Sequence, residues 1–169
     1  MATLISRLVL TRLLATTLLA VPAMMATAPL ALAAETSSTR RQVETTAHKL
    51  ALALGELAED ALDAADRADD NGNTGRAEKL FDVAQAAKSL SNKVTGQIVR
   101  PLQRGGTLAA AKTQLGRLKL SFERLDDAVL ELNNVPGALA QDLLDAKRLT
   151  RKLKTLLDAG SRDDGRIVL

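Results

Sequence analysis

Between Leu108 and Leu132 the apolar residues Leu108, Ala111, Leu115, Leu118, Phe122, Leu125, Val129 and Leu132 follow one another at steps of three and four without a gap. Residues so spaced stack on one side of an α-helix, so the stretch predicts one long amphipathic helix whose stripe other helices must cover. The rest of the chain has to supply those partners.

Three further stripes do so. Val43, Ala47, Leu50, Leu54, Leu57, Ala61, Ala64 and Ala68 mark a first helix, and the capping-box spacing of Thr39 and Gln42 predicts its start near Arg40. Asp69 to Gly75 is rich in Gly and Asn, which close a helix and turn the chain. A second helix, from Arg76 to about Val99, carries Ala77, Leu80, Ala84, Ala87, Ser91, Val94 and Ile98, with Phe81, Val83 and Leu90 widening the stripe. Pro101 is expected to end it, since the residue before a proline disfavours helix. Gly105-Gly106 makes the next turn and Thr107 caps the third helix, which stops at Asn133-Asn134. The fourth opens near Pro136, runs through Leu139, Leu143, Ala146, Thr150, Leu153 and Leu157, and is expected to stop at Gly160. Such stripes, joined by short turns, predict an all-α fold: an antiparallel up-down-up-down four-helix bundle with heptad-type, coiled-coil-like packing. At ~1.5 Å per residue it would be a rod on the order of 40 Å long. The rival arrangement is two helical hairpins that complete a bundle only as a dimer.

The segment ahead of these stripes has a different character. Arg7 and Arg12 are the only charges before Glu35, and the uncharged run from Leu13 ends at Ala31-Leu32-Ala33-Ala34. This reads as a secretory signal peptide over 1–34, cut after Ala33 or Ala34, followed by the bundle over 35–160 and a flexible tail over 161–169. An uncleaved anchor is the other reading of the same run, and Pro22, Pro29 and the small residues before Glu35 favour cleavage, after which no stable membrane span remains. Both readings place the bundle outside the cytoplasm, periplasmic or secreted. Cysteine is absent, which excludes a lipoprotein anchor and a disulfide scaffold and leaves packing to hold the domain together.

The formal charge of +3 belongs largely to Arg7 and Arg12, so the mature chain is close to neutral. Its charges are nevertheless blocked: acids predominate from Glu56 to Asp82 and from Glu123 to Asp145, and every charge from Lys88 to Lys119 and from Lys147 to Lys154 is basic. In the expected topology this makes an acidic pole around Asp66, Asp69, Asp70, Asp126 and Asp127, and a basic pole around Lys147, Arg148, Arg151, Lys152 and Lys154. Helix dipoles do not account for the pattern, because helices one and three carry their acids at the C-terminal side. Pairing between neighbours is not expected either, since blocks at one level share a sign. Two solvated, solubilising ends are the plain reading; the sharper one is that these ten residues are interaction sites.

Chemistry for catalysis is sparse. His48 is the single histidine, and with Glu44 one turn earlier it makes an incomplete metal or proton site. There is no haem-attachment motif and no pair of Glu-x-x-His motifs for two irons. Asp69, Asn71 and Asn73 imitate the opening of a calcium loop, but Thr74 and Leu80 stand where its glycine and bidentate acid belong. With only Phe81 and Phe122 as aromatics, nucleic-acid binding has no stacking platform. Leu52, Leu62, Leu120 and Leu130 take outward positions, and Ile167-Val168-Leu169 makes an apolar terminus that is expected to fray or fold back onto the basic end, recognition by a PDZ-like groove or envelope protease being the other reading. The expectation is therefore an exported, non-enzymatic bundle of the bacterial envelope, without cofactor, metal or catalytic residues. It would act on an unidentified protein or anionic envelope component and as a homo-oligomer. The alternative is a small-ligand or divalent-cation carrier.

Overall fold

The computed structural model describes residues 27–163, and among them every regular element is helical. These are α1 (Thr27–Asp70), α2 (Thr74–Val94), a π-helical turn (Thr95–Val99), α3 (Arg100–Gln103), α4 (Leu108–Arg117), α5 (Lys119–Leu130) and α6 (Gly137–Asp163). The bulk of the expected leader and the terminal Ile167-Val168-Leu169 lie outside the described residues. No helix among those described is long and apolar enough to cross a membrane.

The stripes read from the sequence are the core. Val43, Ala47, Leu50, Leu54, Leu57 and Ala61 of α1 are buried against Leu80, Ala84, Ala87, Val94 and Ile98 on one side and Leu139, Ala146, Leu153 and Leu157 on the other. Each leucine so enclosed contributes about 1.5–3 kcal/mol. Alanines thin the α1/α2 interface enough for the backbones to come together, and Ser91 Oγ donates to the Ala51 carbonyl across it at 2.7 Å. The seam of Leu108, Ala111, Leu115, Leu118, Leu125, Val129 and Leu132 is buried, with Phe122 half-buried. α1 packs on α2 and α6, α2 on α5, and α4 on α6.

Two helix ends are built alike. At Gly72 (φ +73°) the amides of Gly72 and Asn73 return to Asp69 O and Ala68 O, and at Gly105 (φ +92°) those of Gly105 and Gly106 return to Leu102 O and Pro101 O. This is the Schellman arrangement, whose left-handed residue is glycine because a Cβ would strain it. The side chains of Asn73 and Thr107 then accept the amides of Arg76 and Ala110, opening α2 and α4.

Several boundaries differ from the sequence expectation. α1 does not start at Arg40 but runs through Thr39 from Thr27; the Ala- and Leu-rich run ahead of Thr39 has high helix propensity, and Pro29 sits in the first turn where its missing amide is harmless. Pro101 does not end the second helical rod, which reaches Gln103. In the π turn before it, Arg100 N–H returns to Thr95 O, five residues back, and this widened turn makes room for the ring where an α-turn would clash. The third helix is interrupted at Leu118, whose amide is shared between Gln114 O and Leu115 O in a tight turn after Gly116; Leu118 stays buried, so the seam survives. Gly160 does not stop α6. A Cβ there would stand 2.6 Å from Leu108 Cδ1 and 3.1 Å from Thr39 Cγ2, so its role is close packing where α1, α4 and α6 meet. Phe81, expected to widen the stripe, is 55% exposed, whereas Leu62, expected outside, packs against the core.

Candidate functional site

The basic block of α6 has a helical spacing that sends it two ways. Arg148 and Lys152, four apart, face α1; Lys147 and Arg151, also four apart, face α5, and Lys154 continues their side as an exposed residue. The expected single basic cluster is therefore divided by the helix that carries it.

On the α5 side one of the three bases, Lys147, is engaged in an ion pair. Lys147 Nζ lies 3.0 Å from Asp126 Oδ1 over a depression of about 360 Å³ lined by Phe122, Leu125, Leu143 and Thr150. Lys112 similarly reaches Asp158 of α6 at 2.8 Å. Both correct the expectation that neighbours at one level share a sign, and Asp126 is a partner of the basic block rather than a member of an opposed pole. Asp66, Asp69 and Asp70 are exposed at the end of α1, and Asp127 is exposed on α5. α1 packs chiefly on α2 and α6, and α5 chiefly on α2, so Asp127 belongs to a different packed pair of helices from Asp66, Asp69 and Asp70. Bases are threaded among them: Lys79 donates to Glu131 O at the end of α5, Arg76 to Asn134 O, and Arg67 to Asp63 O. At the other end Arg40 Nη2 donates to Leu102 O in α3 at 2.5 Å. The C-terminus of α5, which has no basic residue in its own last turn, thus receives Lys79 from α2, a contribution missing from a helix-by-helix count of dipoles.

The α1 side of α6 is a groove of about 960 Å³. Arg41, Lys49, Arg148 and Lys152 line one half, together with Gln42, Thr45 and Thr46; Glu56, Asp142 and Asp145 line the other; Leu52, Ala53 and Leu149 form the waist between them. Leu52 is 53% exposed. No ion pair among the described residues engages these four bases or these three acids. Asp142 bears the strongest sign of crowding. Its Oδ2 is buried without a hydrogen-bond partner, and burial first, then the nearby carboxylates Asp60, Glu56 and Asp145, raise its pKa above 3.8. As carboxylates, Asp142 and Asp60 cannot bond to each other, whereas a proton on Asp142 supplies a donor.

The groove as a unit was not anticipated. Its signal was present in Arg41, Thr45, Lys49, Leu52 and Glu56, a second stripe at helical spacing along the polar side of the first helix, with the sign changing between Lys49 and Glu56. Other sequence candidates come apart: Glu44 pairs with Arg40 at 3.2 Å rather than with His48, which is exposed. Asn71 and Asn73 serve the turn, Asn71 Nδ2 donating to Arg67 O at 2.6 Å. Among the described residues no three His, Cys, Asp or Glu converge as metal ligands. No family model, no curated protein and no solved structure matches the chain.

Proposed function

We propose that this is an exported, non-enzymatic interaction protein of the bacterial envelope, released by cleavage after Ala33 or Ala34 and folded as an antiparallel up-down-up-down four-helix bundle. Cross-helix partners support the topology: Ala51 with Ser91 and Arg40 with Leu102, Lys79 with Glu131 and Lys93 with Ser121, Asp126 with Lys147 and Lys112 with Asp158. In each set a later residue on one helix meets an earlier residue on the other. The observation that carries the interaction reading is the α1/α6 groove, whose Arg41, Lys49, Arg148 and Lys152 lack ion-pair partners among the described residues. Charges left unpaired along a concave face steer and orient a macromolecular partner.

The experiment is site-specific photo-crosslinking in intact cells, with the reactive group placed at Lys152 in the groove or at Gln85 on the exposed face of α2. Adducts from Lys152 and none from Gln85 are expected. Their absence at both positions refutes the interaction reading. N-terminal sequencing of the envelope fraction should begin at Ala34 or Glu35; recovery in the cytoplasm with Met1 intact refutes export.

A further inference from the structure

We propose that the α1/α6 groove is a two-fold interface on which a second copy of this chain lies antiparallel; the inference rests on the interaction reading above and names its partner. The argument is one of symmetry. A two-fold interface brings the same patch of both copies together, so the patch must complement itself. A uniformly charged patch fails that condition, whereas one whose sign reverses along its length meets it when the copies run in opposite directions. The groove has this form: Arg41, Lys49, Arg148 and Lys152 on one side of the waist, Glu56, Asp142 and Asp145 on the other, and the apolar Leu52, Ala53 and Leu149 at the crossover.

The reversal falls at the same level on both helices. On α1 it lies between Lys49 and Glu56, on α6 between Asp145 and Arg148, and Asp142 stands near Asp60 of α1 one step further along. A rotation about an axis through the waist therefore sets Leu52 against the waist of the second copy and each basic half against an acidic half. From Arg41 to Glu56 the patch is about 20 Å long, twice or more the screening length of roughly 8–10 Å at ordinary ionic strength, so its two extremities act as separate charges. A polyanion or anionic membrane lying along the groove would gain the basic half and be repelled by the acidic one.

Asp142 adds to the acidic character of its half of the groove. Its surroundings are acidic on both packed helices: Glu56 and Asp60 come from α1 and Asp145 from its own helix, and its Oδ2 is buried without a partner. The bases of the same groove stand at the far end. Those of an antiparallel second copy stand opposite.

Sedimentation velocity on the full chain, purified as its host processes it, tests this. A dimer is expected whose dissociation constant rises about tenfold or more between low and high salt, because the pairs are at the surface. The groove made wholly acidic (Lys49→Glu, Arg148→Glu, Lys152→Glu) and the groove made basic (Glu56→Lys, Asp145→Lys) should each sediment as a monomer, with helical circular dichroism retained, and should form a heterodimer when mixed. Because the chain has no cysteine, the Leu52→Cys variant should cross-link to its own copy under mild oxidation. The Arg41→Cys variant, whose copies would be roughly 30 Å apart, should not. A wild-type monomer at every concentration and salt, a mixture that stays monomeric, or cross-linking at Arg41→Cys in place of Leu52→Cys overturns the inference. If the chain is monomeric while the Lys152 photo-crosslinker still captures another molecule, the broader interaction reading stands and this one falls.

Discussion

Lys147 on one side of α6 and Arg148 on the other are used in opposite ways. Toward α5, Lys147 is placed beside Asp126, half-covered and closed off by the apolar wall of Phe122 and Leu143. Toward α1, Arg148 and Lys152 line an open groove from which the acids have been moved to the far half. Neighbouring residues of like charge thus differ by a rotation about the helix, and that rotation decides whether a charge is spent inside the molecule or left for something else. A charge count along the sequence cannot make this distinction.

The largest test removes what both sides share. Leu153 is fully buried in the seam between them, and Leu153→Ala should cost about 2–5 kcal/mol and degrade both faces, read as a lowered denaturant midpoint. Next in size is Asp142→Asn, which should stabilise the protein at neutral pH, because it removes a carboxylate that folding forces among others. The pH dependence has the matching sign: with its folded pKa raised, Asp142 takes up a proton in the native state before the unfolded chain does. Its penalty is therefore present above the folded pKa and disappears as pH falls from there toward 3.8. Thermal melts from neutral to mildly acidic pH should show this rise in the wild type and lose it in Asp142→Asn. The smallest effect sharpens the comparison most. In a double-mutant cycle, Lys147→Ala and Asp126→Ala should couple by about 0.2–1 kcal/mol, while Arg148→Ala and Glu56→Ala should show no coupling within the monomer. Equal coupling on both sides would erase the distinction.

Much of the fold was legible because burial follows spacing. Val43 to Ala68, Leu80 to Ile98, Leu108 to Leu132 and Leu139 to Leu157 are buried or half-buried as their periods require. What escaped depended on contacts between helices. Pro101 looks like a stop unless the preceding steps are noticed: Leu90, Val94, Ile98 and Leu102 follow in successive fours, a drift that a π turn absorbs by resetting the register. Gly160 looks like a terminator until Leu108 and Thr39 are seen against it. The candidate site was legible as charged blocks only. Which side of α6 each base takes follows from spacing, but Lys147 finding Asp126, and Arg148 finding no acid, depends on which helix lies on which side.

The packing at Gly160 has a topological consequence. By holding Thr39 of α1 close to Gly160 of α6, it brings together the two ends of the stretch that carries the core, so the chain from Thr39 to Gly160 is nearly a ring. A ring of helices is indifferent to where it is opened. A short tether across that junction, with new termini cut at Asn71-Gly72 or Gly105-Gly106, would give a circular permutant that retains the same core.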